Sequence, residues 1–147
     1  MSNHFHLLLK EVVEGGISLF MQKVLTGYSM YFNKKYERRG ALFANTFNSK
    51  YVSDDRYFKK VISYIHLNPT GLKERDWEKG NGDMEEIEKI LRSYKYSSLS
   101  AFAGIDSPTN VLVSRSVFEV FDSVPTVKEM IVDARAYYQE QIIKVKP

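Results

Sequence analysis

Cysteine is absent from the 147 residues. That excludes disulfides, thiolate metal centres and a cysteine nucleophile, and it fits a reducing, cytoplasmic setting. No apolar run approaches the roughly 20 residues that a membrane-spanning helix needs, and the first residues lack the basic region of a secretory signal. Internal repeats and low-complexity tracts are also missing. Histidine is scarce, with three residues in all, and two of them fall in one tripeptide, His4-Phe5-His6.

That tripeptide opens the chain as Asn3-His4-Phe5-His6-Leu7-Leu8-Leu9. Alternation predicts a strand over residues 3–10, with side chains two apart on one face. His4 and His6 then share a face at roughly 7 Å, while Phe5, Leu7 and Leu9 turn toward a core. Two imidazoles from one strand can hold one divalent cation.

The net charge of +3 is small, but its distribution is uneven. Residues 1–60 carry ten Lys and Arg against five Asp and Glu. A basic excess beside the histidine motif suggests a phosphate-bearing partner. Aromatic residues interleave with the basic run Lys34-Lys35-Tyr36-Glu37-Arg38-Arg39, a pattern suited to nucleic acid, although cations at a helix end also complement its dipole.

Along the chain, Glu14-Gly15-Gly16 marks a turn and Ser18 is a candidate cap for a long helix reaching about Tyr36. Ile17, Phe20, Met21, Val24, Tyr28, Tyr31 and Phe32 recur at helical spacing, which predicts a core-facing stripe. Gly40 is expected to end the helix. A second strand is expected over 44–52. Ser53-Asp54-Asp55 predicts the cap of a second helix, about 56–67, stopping before Pro69. Residues 70–83 read as a loop, 84–93 as a short helix, and 114–122 and 126–142 as helical, the last from a Thr126–Glu129 capping box.

Tyr64 and Asn68 lie one helical turn apart and share a face. If that face meets the histidine strand, two imidazoles and an amide oxygen could hold a cation that polarises a phosphodiester. The phenol could then attack phosphorus as a covalent nucleophile. His66, two residues from Tyr64, points elsewhere and reads as structural or as a DNA contact. A zinc hydrolase is a weaker reading, because it needs three strong ligands and a general base. Neither Glu11 nor Asp55 has a motif around it.

The ordered set Ser2-Asn3-His4-Phe5-His6-Leu7-Leu8-Leu9, Tyr31-Phe32-Asn33-Lys34-Lys35-Tyr36, Gly40-Ala41-Leu42-Phe43, Tyr64-Ile65-His66-Leu67-Asn68-Pro69 and Tyr94-Lys95-Tyr96-Ser97-Ser98 resembles the HUH single-tyrosine transposases. Within them it is most similar to the branch associated with repetitive extragenic palindromes. The resemblance covers about residues 1–104. It implies an α+β fold, a ferredoxin-like antiparallel sheet with helices on one face, followed by a helical C-terminal extension over 105–147. It also implies DNA nicking and strand transfer on single-stranded or hairpin DNA, with a phosphotyrosine intermediate. By carry-over, Tyr64 is the nucleophile, and His4, His6 and Asn68 are ligands of magnesium or manganese. Lys34, Lys35, Arg38, Arg39 and Lys50 track the DNA backbone, and a homodimer is compatible with the pattern.

The chain departs from the family pattern in three ways. Ser2 stands where relatives carry proline, and Thr46 and Asn48 stand where they often carry basic residues. Relatives also have a strand and a helix ahead of the histidine strand, whereas this chain begins inside the motif. The expectation is an incomplete catalytic domain with a bared sheet edge and uncovered apolar surface. The rival expectation is a non-catalytic nucleic-acid-binding remnant.

Overall fold

In the computed structural model of the chain, residues 4–73 and 76–145 are described, with side chains through Ala136. Ser2 and Asn3 of the opening motif lie outside the described residues. Five α-helices appear among them: α1 (Gly16–Lys35), α2 (Asp55–Leu67), α3 (Met84–Ser93), α4 (Leu99–Phe102) and α5 (Val127–Val145). Short 3-10 turns occupy Asn68–Leu72, Trp77–Lys79, Pro108–Leu112 and Arg115–Val120.

The expected ferredoxin-like sheet is not found among the described residues. Among the described residues no strand occurs, and both 4–10 and 44–52 lack regular secondary structure. Alternation reports which side chains are apolar. A strand also needs a neighbouring segment to exchange a ladder of backbone hydrogen bonds, and among the described residues no such ladder is formed at either stretch. Phe5 and Leu7, expected in a core, are about half exposed (46% and 49%).

The chain divides into two units. One comprises Met1–His6 with Val52–Pro147, the other Leu7–Tyr51.

The larger unit has the hydrophobic core. Leu67 of α2, Trp77, Ile87 and Leu91 of α3, Leu99 of α4, and Val127, Met130 and Ile131 of α5 form one buried cluster, with Met84, Phe102 and Ala134 packed against it. Burying each large side chain contributes roughly 2 kcal/mol. Arg135 of α5 adds a polar tie. Its Nε donates to the Trp77 carbonyl at 3.0 Å and its Nη2 to the Asn81 carbonyl at 2.8 Å, which fixes the loop carrying the tryptophan. That loop reads from sequence as polar linker, yet it delivers the chain's single tryptophan to the core.

Two predicted caps are present. The Asp54 carboxylate accepts from the Tyr57 amide at 2.8 Å and so starts α2. At α5 the capping box closes reciprocally: Thr126 N–H donates to Glu129 Oε2 at 2.7 Å, and Glu129 N–H donates to Thr126 Oγ1 at 3.2 Å. The segment 114–122 forms a 3-10 turn rather than an α-helix.

The smaller unit is built on α1, and three local expectations change there. Its N-cap is Gly15, in the left-handed region at φ 73°, rather than Ser18. A left-handed residue is readily supplied by glycine and not by serine. Its end comes at Tyr36, ahead of Gly40. Glu37 adopts φ 50°, and the Arg38 amide donates back to the Asn33 carbonyl at 2.8 Å, a Schellman closure with glutamate in the usual glycine place. The expected core stripe is buried only at Met21. Phe20, Val24, Tyr28 and Tyr31 are exposed.

Candidate active site and nucleic-acid interface

α2 has two kinds of surface. Ile62, His66 and Leu67 are buried, while Tyr64 between them is 58% exposed. A position two residues along a helix is rotated by about 200°, so burial of His66 places Tyr64 on the outer side. The helix is therefore held by one face and offers its phenol on the other.

Beside that phenol lie the two N-terminal histidines. The His6 and Tyr64 ring centroids are 5.4 Å apart, edge to face, and those of His4 and His6 are 5.2 Å apart and nearly perpendicular. All three residues belong to the larger unit. Asn68 closes α2. Its backbone N–H donates to the Tyr64 carbonyl, which keeps it one turn from the tyrosine.

His6 has an unusual environment. Its Nε2 is buried and has no hydrogen-bond partner among the described residues. Burial lowers its pKa, and the neighbouring His4 lowers it further. Both effects favour the neutral imidazole, the form that donates a lone pair to a cation. Among the described residues no group of three His, Cys, Asp or Glu side chains could hold a metal.

His66 takes the structural role. Its ring is buried, its Nε2 lies 2.8 Å from Ser98 Oγ, and it meets the Phe102 ring edge to face with 4.6 Å between centroids. Burial pushes its pKa down to about 4. Ser98, in the Tyr94–Ser98 segment, is a partner that sequence spacing does not reveal, since 32 residues separate the pair.

Lys34, Lys35, Arg38, Arg39 and Lys50 all lie in the smaller unit. Lys34 and Lys35 close α1, Arg38 and Arg39 follow it, and Lys35 and Arg38 lie against aromatic rings. Lys35 Nζ is 5.6 Å from the Tyr31 ring centroid and 5.5 Å from that of Tyr36, and the Arg38 guanidinium is 5.7 Å from the Phe32 ring. The hydrogen bond with Tyr31, then the Tyr31 and Tyr36 phenols, raise the Lys35 pKa, so it stays cationic. Sequence periodicity assigns these tyrosines to a core. The lysine and arginine residues set among them were the available sign that the face is open.

Among the described residues no helix is long and apolar enough to cross a membrane. No curated protein and no solved structure matches the chain. A sequence family does match: the family described as transposase IS200 like covers residues 1–68. The matched segment contains His4, His6, Tyr64 and Asn68 along with the basic end of α1, and over that segment the chain is similar to the IS200-like transposases.

Proposed function

We propose that this chain nicks and rejoins DNA through Tyr64, as a transposase of the single-tyrosine kind. The observation that carries the reading is the exposed Tyr64 phenol set against His6 and His4, inside the segment matched to IS200-like transposases. The Tyr64 oxygen attacks the phosphorus of a DNA phosphodiester and forms a P–O bond to tyrosine. The bond to the leaving sugar oxygen breaks, and that oxygen takes up a proton to become a hydroxyl. The phenolic proton passes to solvent. Rejoining is the reverse step and conserves the bond energy, so no energy cofactor is needed.

His4, His6 and Asn68 would hold magnesium or manganese, which supplies Lewis-acid polarisation of a phosphate oxygen. The buried His6 Nε2, without a hydrogen-bond partner among the described residues, and the lowered pKa of the ring support this assignment. The outward placement of Tyr64 lets a strand reach the phenol, while the buried side of α2 limits its motion. Single-stranded or hairpin DNA is the substrate class, and Lys34, Lys35, Arg38, Arg39 and Lys50 would contact its phosphates.

The test is incubation with end-labelled hairpin DNA and magnesium or manganese, followed by a denaturing gel. A protein–DNA adduct lost with chelator and with Tyr64→Phe is the expected result. An adduct that survives Tyr64→Phe overturns the nucleophile. DNA binding without any adduct would instead favour a non-catalytic nucleic-acid-binding remnant.

A further inference from the structure

The end of α1 carries a feature the nicking chemistry does not use. Tyr31 and Tyr36 are each more than half exposed, at 56% and 55%, and Lys35 Nζ is close to both rings. The rings are braced from behind. Tyr36 packs on Phe32 at 4.5 Å between centroids, and Tyr28 contacts Tyr31, Phe32 and Phe43 at about 6 Å. The backbone that follows is tied as well, since Asn33 Nδ2 donates to the Gly40 carbonyl at 2.9 Å and Arg38 N–H to the Asn33 carbonyl. Glu37 is the only carboxylate between Tyr28 and Phe43, against Lys34, Lys35, Arg38 and Arg39.

We propose that Tyr31, Lys35 and Tyr36 form a stacking platform for unpaired DNA bases, with Lys35 taking the phosphate between two bases that lie on the tyrosine rings. This rests on the reading of the chain as DNA-acting and adds a site for the strand. An aromatic face without cations would suit any apolar partner. The Lys35 and Arg38 cations beside these rings select a polyanion, and the half-exposed Tyr31 and Tyr36 rings select a polyanion whose bases are not already stacked on one another. Duplex DNA offers phosphates to the cations and no free base face to the rings. The braced rings also lose little freedom on binding.

The experiment uses the full chain in chelator, so that no strand is cut. A fluorescent unpaired oligothymidine and a duplex of equal length are titrated at several salt concentrations. Tyr31→Ala and Tyr36→Ala should each weaken unpaired binding roughly five- to hundredfold and leave duplex binding within about twofold. Tyr31→Phe and Tyr36→Phe should keep wild-type affinity, because the ring is retained. Lys35→Ala should lower the salt slope for the unpaired strand by about 0.7. Far-ultraviolet circular dichroism checks that α1 persists in each variant.

Alanine variants that bind the unpaired strand as the wild type does overturn the platform and leave the DNA reading standing. Equal loss on unpaired and duplex DNA also overturns it. Variants that change only the sedimentation of the protein would show that a second copy of the chain covers this face, with the same consequence. A wild-type chain that binds neither DNA overturns the platform together with the DNA reading beneath it.

Discussion

His6 meets Tyr64 edge to face, with 5.4 Å between ring centroids, although 58 positions separate them in the chain. The contact brings a buried, unpartnered imidazole nitrogen and an exposed phenol into one neighbourhood. It leads to a measurable expectation for each residue.

His6→Ala should weaken manganese binding roughly tenfold or more, since even groups that only orient a metal ligand cost 10–100-fold when removed. Titration calorimetry of the DNA-free chain measures this. His6 is not part of the hydrophobic core cluster, so the unfolding midpoint should hardly move. Equal manganese affinity in the variant and the wild type would remove His6 from the ligand set.

His66 should make the protein acid-sensitive. Its pKa falls from 6.5 in the unfolded chain to about 4 in the fold. The unfolded state therefore binds the proton more tightly. Stability is complete above about pH 6.5, is lost as pH falls toward 4, and levels off below. The full loss is about 3 kcal/mol. Urea midpoints followed by fluorescence of Trp77, buried in the same unit, should show this slope. His66→Leu should flatten it between pH 6.5 and 4, whatever its effect on stability at neutral pH.

Glu37→Gly should stabilise the smaller unit by up to about 1 kcal/mol. Glu37 stands at φ 50° in a Schellman closure, where glycine avoids the left-handed penalty, partly offset by its greater freedom when unfolded. Thermal unfolding of α1 by circular dichroism reads the shift. A lower midpoint would mean that the glutamate side chain contributes more than its backbone conformation costs.

Asp54→Ala should cost about 1 kcal/mol, because the Tyr57 amide at the start of α2 loses its acceptor. Asp54→Asn should recover most of that. Hydrogen exchange at the first turn of α2 distinguishes a local fraying from a global loss.

The helices were legible in the sequence because their signals are local. The Asp54 cap, the Thr126–Glu129 box and the stop near Pro69 each involve residues within a turn or two of one another. That no sheet forms among the described residues was not legible in the same way, since alternation over residues 3–10 describes one segment and pairing requires two. The α1 stripe was misread for a related reason. Helical spacing of Phe20, Val24, Tyr28 and Tyr31 says that one face is apolar and is silent on what covers it. At the site, the one-turn spacing of Tyr64 and Asn68 followed from helical geometry, and the meeting of Tyr64 with His6 needed the tertiary structure. The Ser98 partner of His66 and the delivery of Trp77 to the core by Arg135 are long-range events that no local spacing encodes.

The division of α2 into a buried side at Ile62, His66 and Leu67 and an open side at Tyr64 has a consequence for genetics. A screen for inactive variants across these residues would return two classes that look alike in a single assay. Lesions at 62, 66 and 67 would act through abundance and should be rescued by low temperature or a stabilising background. A lesion at 64 would leave abundance untouched and resist every such rescue. Measuring protein level beside activity at neighbouring codons would thus separate the scaffold from the phenol it presents.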